Sequence, residues 1–134
     1  MLKTITNNHA VHQIGLHLVW CTKFRNAVLK DSIDVIVKQS LAETCGHYGW
    51  LCHAIEVMPD HVHMFIQIKH TDNPCDVAKT LKSISAVAAF YTFPKLKGNK
   101  FWGTGLWSDG TYYGSVGNVS QDTISTYIAG QKKK

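Results

Sequence analysis

A chain of 134 residues is the size of one domain, and 45% hydrophobic against 17% charged residues is a globular composition, not a disordered one. The net charge of +5 leans basic, with Lys132, Lys133 and Lys134 supplying much of the excess. No apolar run approaches the roughly 20 residues of a membrane span, no signal-peptide pattern opens the chain, and the four cysteines form no CxxC pair. A membrane protein, a zinc finger and a thioredoxin-type centre are therefore excluded, and a reducing cytoplasm is the expected setting.

The first eight residues carry no structural pattern. From Val11 to Phe24 the run VHQIGLHLVWCTKF is β-branched, aromatic and apolar, and predicts a strand. Asp31 or Ser32 is placed to cap a helix whose apolar face is Ile33, Ile36, Val37, Leu41 and Cys45. Gly46 and Gly49 bracket its end. The segment WLCHAIEVMPDHVHMFIQI then reads as a β-hairpin turning at Met58-Pro59-Asp60. Pro74 and Asp76 suit the start of a second helix, with Val77, Leu81, Ile84, Val87, Ala88 and Tyr91 as its apolar face and Phe93-Pro94 as its stop. Residues 95–110, rich in glycine, read as loop, and Thr111 to Val116 as a short strand. Ser120 and Asp122 open a last helix in which Ile124, Tyr127 and Ile128 share a face.

The order β-α-β-β-α-β-α predicts an α+β fold. Its first six elements match the ferredoxin-like, split βαβ arrangement of an antiparallel sheet with two packed helices. A single domain over 1–134 follows, with the core over 9–116 and an added C-terminal helix over 120–131.

Charge is unevenly distributed. Between Asp76 and Asp109 there is no acidic residue, whereas Lys79, Lys82, Lys95, Lys97 and Lys100 all fall there. Such a segment suits a polyanion such as nucleic acid. A solvated helix face followed by a lysine loop has the same signature.

Two spacings carry chemistry. His61 and His63 lie two apart on a predicted strand, so both imidazoles share a face and can reach one metal ion. The same spacing also suits two polar residues on the open face of a half-buried sheet. Phe65 stands where a histidine triad would continue, no acid follows until Asp72, and no HExxH occurs, so histidine-triad hydrolase, cupin and metalloprotease patterns are absent. Tyr127 and Gln131 lie four apart on a predicted helix, which can present a phenol and an amide oxygen to one site. A divalent cation nearby would favour phenolate and polarise a phosphoryl group, and Gln131 offers the hard oxygen that magnesium or manganese prefers. Tyr127 also lies on the apolar face, where packing alone accounts for it.

Four blocks, HLVWCTKFR at 17–25, EVMPDHVHMFIQ at 56–67, LWSDGTYYGSVGNVS at 106–120 and TYIAGQ at 126–131, resemble the single-tyrosine HUH transposases, the TnpA-type enzymes of the smallest insertion sequences. The resemblance runs in order through nearly the whole chain. It implies a metal-dependent enzyme that cleaves and rejoins single-stranded DNA through a 5′-phosphotyrosine intermediate. It implies Tyr127 as nucleophile, His61, His63 and Gln131 as ligands of Mg2+ or Mn2+, and a homodimer that binds a hairpin at the element's end.

Other positions fit supporting parts. Lys23, Arg25, Lys79 and Lys82 suit phosphate contacts or a generic basic surface. Trp102, Trp107, Tyr112 and Tyr113 suit base stacking, core or dimer packing. Glu56 and Asp60 flank the turn before the histidines, and Asp60 suits either a metal-site auxiliary that orients His61 or a turn former. Two rival readings remain at this stage. One is a non-catalytic single-strand nucleic-acid binding module; the other is a metal-dependent hydrolase of a small phosphoester.

Overall fold

A computed structural model describes residues 5–6, 11–12, 14–96 and 105–116 of the chain. A short antiparallel ladder of β1 (Ile5–Thr6) and β2 (Val11–His12) precedes β3 (Ile14–Cys21). Then follow α1 (Ile33–Tyr48), β4 (Leu51–Met58), β5 (His61–Ile68), α2 (Pro74–Thr92) and β6 (Tyr112–Val116). Strands β4-β5-β3-β6 form one sheet, antiparallel at every pairing. This is the expected α+β split βαβ arrangement. The last predicted helix, 120–131, lies outside the described residues.

Alternation along the two central strands decides which face is which. On β3, Leu16, Leu18 and Trp20 are buried; on β5, Val62, Met64, Ile66 and Ile68 are buried. They gather against Val37, Leu41 and Cys45 of α1 and Val77, Ala78, Leu81 and Ala89 of α2. Removing a leucine such as Leu41 from water in this way contributes about 1.5–3 kcal/mol. Side chains at the intervening positions, His17 and Val19 on β3 and His61 and His63 on β5, project to the opposite face.

Several local expectations are corrected. The predicted strand from Val11 to Phe24 divides into β2 and β3 and ends at Cys21, after which the chain turns. Ser32 occupies the N-cap position of α1, but with φ 80 its hydroxyl makes no capping bond. At α2 the cap is Asn73, whose Oδ1 accepts from the N–H of Cys75 and Asp76, with Pro74 in the first turn as expected. The buried face of α2 is rotated from the predicted one: Ser85 and Ala89 are inside, whereas Ile84, Val87 and Tyr91 are exposed. The cause is Trp107, whose indole N–H is shared between the Ser85 hydroxyl at 3.2 Å and the Lys82 carbonyl at 3.0 Å and so draws Ser85 inward. Residues 94–96 form a helical turn inside the stretch expected to be loop.

Gly49 closes α1 in the left-handed conformation (φ 75), its N–H donating to the carbonyls of Cys45 and Gly46. Thr22 pairs with Trp107 in an isolated bridge that ties the segment after β3 to the one before β6. Among the described residues no helix is long and apolar enough to cross a membrane.

Candidate functional site

The β4–β5 hairpin turns at Pro59–Asp60, and β5 begins on the next residue, His61. Two outside bonds fix that turn: Thr22 N–H donates to the Asp60 carbonyl and Leu29 N–H to the Pro59 carbonyl, both at 2.9 Å. Val62 is fully buried among the core residues, so its neighbours His61 and His63 must project from the face opposite α1 and α2. Their ring centroids are 4.8 Å apart. Cys21 and Met58 flank His61 in register, and Val19 and Glu56 flank His63.

Asp60 organises the first histidine. Its Oδ1 lies 2.7 Å from His61 Nδ1. Its Oδ2 accepts from Arg25 Nη2 at 3.2 Å and Nε at 3.4 Å. The His61 contact first, and the Arg25 guanidinium second, hold the Asp60 carboxyl below the usual carboxylate range. An ionised carboxylate only accepts, so the Nδ1 of His61 carries the proton and Nε2 carries the lone pair. That tautomer is the one a metal-binding imidazole uses when a second partner orients it. Asp60 therefore orients His61 as well as occupying the turn.

A third histidine joins the row. His17, on β3, stacks on the His63 ring (centroids 6.0 Å apart, planes at 22°) and meets the edge of Tyr112 at 5.8 Å. Its place in the strand alternation was the sequence signal for this, because it lies two and four residues before Val19 and Cys21 on the same face. Among the described residues no three His, Cys, Asp or Glu side chains are arranged to hold a metal ion. The described donors are thus the two imidazoles. Tyr127 and Gln131 lie outside the described residues, as do Lys97, Lys100 and Trp102.

The basic and aromatic candidates separate into two groups. Arg25 and Lys23 follow β3 beside the histidine turn, and the Lys23 N–H is fixed to the Leu106 carbonyl at 2.9 Å. Lys79 and Lys82 instead line a cavity of about 430 Å³ between α2 and residues 105–113, together with Cys75, Ser83 and Tyr113. The Lys82 ammonium donates to Ser108 O at 2.8 Å and to Thr111 Oγ1 at 3.1 Å, so its charge is engaged by the loop. Trp107 is buried and packs edge-on to Trp20 at 5.8 Å, which makes it a core residue. Tyr112 is exposed on the histidine face and Tyr113 lines the cavity on the other side of β6.

Residues 10–131 match the family described as "Transposase IS200 like". The chain is 34% identical over 124 residues to the ISDra2 transposase TnpA of Deinococcus radiodurans, covering 92% of this chain and 88% of that protein. A crystal structure of a transposase from Deinococcus radiodurans R1 superposes with a TM-score of 0.75 at 34% identity, covering 95% of this chain and 97% of that one. A REP-associated tyrosine transposase bound to a REP hairpin shares the fold, with a TM-score of 0.59 at 12% identity over 98% of this chain and 74% of that one.

Proposed function

The chain belongs to the IS200-like transposase family, and from that membership we propose that it cleaves and rejoins single-stranded DNA at insertion-sequence ends with Tyr127 as the nucleophile. The observation that carries the reading is the pair His61 and His63 on one sheet face, opposite α1 and α2, with the His61 tautomer fixed by Asp60. The donor set fits a divalent metal: two imidazoles, one with its Nε2 lone pair free to ligate, which the amide oxygen of Gln131 would complete. Mg2+ or Mn2+ held there would orient the scissile phosphate and offset its developing charge.

The remaining chemistry belongs to the chain. Tyr127 Oη attacks the phosphorus; the P–O bond to the 3′ oxygen breaks, and that oxygen leaves as a 3′ hydroxyl carrying the proton. The 5′ phosphate stays on tyrosine as a phosphodiester, which conserves the bond without a nucleotide cofactor. A second 3′ hydroxyl then attacks the phosphotyrosine, restoring a DNA phosphodiester and the free tyrosine. Arg25 and Lys23, beside the histidine turn, are placed for phosphate contacts along the strand, Arg25 while also holding Asp60.

The partner is DNA, bound as a hairpin at the element end; the hairpin-bound relative of the same fold supports this form of substrate. The enzyme acts in the cytoplasm as a homodimer, with 1–134 as one catalytic domain and 120–131 as its tyrosine helix. Among the described residues β6 ends the sheet, with Tyr112 and Tyr113 exposed beside it, a surface that suits an interface between copies.

Covalent trapping tests the reading. Purified protein, Mn2+ and labelled single-stranded oligonucleotides from the flanks of its own gene are resolved on a denaturing gel. The expected result is a labelled protein band that disappears with Tyr127→Phe and with EDTA. A band that survives Tyr127→Phe moves the nucleophile elsewhere. Binding without any adduct leaves a non-catalytic single-strand binding module.

A further inference from the structure

The chain leaves β3 through a turn built on costly backbone. Phe24 (φ 58, ψ 16) and Arg25 (φ 54) are consecutive residues in the left-handed region. Residues with a Cβ rarely enter it, and the only other pair to do so among the described residues is Asp31 and Ser32, before α1. Surrounding bonds over-determine this conformation. The fully buried Thr22 donates its N–H to Asp60 O at 2.9 Å and its hydroxyl to Asn26 O at 2.7 Å. Arg25 N–H returns to Thr22 O at 2.9 Å. Strain persisting under such bracing is characteristic of binding and catalytic sites.

The outcome of that strain is a displayed ring. Phe24 is 75% exposed, although burial is the favourable fate of a benzyl side chain. Its two neighbours are the cations Lys23 and Arg25, and Arg25 is joined through Asp60 to His61. An aromatic face between cations, one residue from the ion pair that orients a metal-site histidine, is the combination that binds single strands: stacking for bases, charge for phosphates. A protein partner is the weaker candidate, because interface cores are depleted in lysine.

We propose that Phe24 is a stacking platform for an unpaired base flanking the phosphodiester presented to His61 and His63. This rests on the reading of the chain as a single-strand transposase. Every base has a π face, so the platform tolerates sequence and serves to hold the strand rather than to read it.

The test uses the full chain carrying Tyr127→Phe, so that no strand is cut, and oligonucleotides with 2-aminopurine walked across the cleavage position. Affinity is read by anisotropy and stacking by quenching. Quenching at one position is expected with Phe24 and with Phe24→Tyr, and its loss with Phe24→Leu, which keeps an apolar side chain but no ring. Phe24→Leu and Phe24→Gly should lose about 5- to 150-fold in affinity. Phe24→Gly should at the same time melt higher, because glycine relaxes the left-handed backbone. A purely structural phenylalanine would not separate affinity from stability in this way. Phe24→Leu binding as tightly as its parent, with unchanged quenching, overturns the proposal. So does a change in sedimentation at unchanged DNA affinity, which would make the ring a protein contact. If the chain with Tyr127 intact yields no adduct and binds none of the oligonucleotides, the transposase reading itself fails; an intact adduct alongside an indifferent Phe24→Leu removes only the platform.

Discussion

Asp60 and His61 are adjacent in sequence, and their side chains meet at 2.7 Å between Oδ1 and Nδ1. The contact sets which imidazole nitrogen faces outward. Asp60→Asn substitutes an amide that can donate as well as accept, and the tautomer is no longer dictated. Mn2+ affinity should fall about 10- to 100-fold, the usual effect of losing a partner that orients a ligand. Titration calorimetry on the unliganded protein reads this directly, and an unchanged dissociation constant would mean that His61 needs no such partner.

Chelation should separate chemistry from folding. His61 and His63 stand outside the hydrophobic core, and the strands that carry them are held by apolar burial on the opposite face. EDTA is therefore expected to remove adduct formation while leaving the far-UV circular dichroism and the urea midpoint where they were. A cooperative loss of structure on chelation would place the metal among the elements that hold the fold, as in a zinc finger.

Trp107 should matter for stability. Its ring fills the space beside Trp20, and its N–H satisfies Ser85 and the Lys82 carbonyl. Trp107→Phe leaves a partial cavity and removes two hydrogen bonds, for a loss of about 2 kcal/mol by urea denaturation. Ser85→Ala should cost about 1 kcal/mol. Single-strand affinity, measured where both variants are folded, should be unchanged; a selective loss of affinity in Trp107→Phe would return that ring to the binding surface.

Lys82 gives a pH signature. Burial holds its ammonium below the ordinary lysine value, with Asp109 opposing the shift. As pH rises from the folded value towards that of the unfolded chain, near ~10.4, the unfolded state holds more protons and stability increases. Lys82→Met lacks this term and also abandons the bonds to Ser108 and Thr111, at a cost of about 1 kcal/mol near neutrality. The margin of wild type over Lys82→Met, followed by denaturant midpoints, should therefore widen with alkalinity. A flat margin would mean the ammonium is as well solvated folded as unfolded.

The pair Cys45 and Cys52 should react unequally. Cys52 is exposed and Cys45 is buried. A hydrogen bond from Cys45 and the charge of Lys38 lower the Cys52 thiol, while the same contact and burial push Cys45 up. Iodoacetamide should therefore label Cys52 first, with a rate that levels off below the pH expected of a free thiol near ~8.5. Peptide mapping by mass spectrometry decides it, and equal labelling would remove the contact between the two thiols.

What could be read from the residues follows from which periods are strict. The pair at 61 and 63 was legible because a strand repeats every two residues and Val62 and Met64 fix the alternate face. The face of α2 was misjudged because a serine reads as surface until the indole that claims it is known. Phe24 reads as the end of a strand, since nothing in a non-glycine residue announces a left-handed backbone. His17 went unassigned because its neighbours on the histidine face come from β5 and β6, distant in sequence. Tyr127 and Gln131 rest on helical spacing and on the family.

The pairing of β3 with β5 sets Cys21 against His61 and Val19 against His63. One residue inserted between His61 and Val62, with His61 held against Cys21, would bring Val62 and Met64 to the outer face and turn the His63 imidazole towards α1 and α2. An insertion confined to the Pro59–Asp60 turn leaves the alternation intact and only lengthens the loop. Tolerance of the fold should thus change abruptly at His61: an indel in the turn spares the core, whereas an indel within the strand that follows costs the core and the histidine pair in a single event. For insertions and deletions within β5, loss of the site and loss of the folded protein are therefore largely the same event.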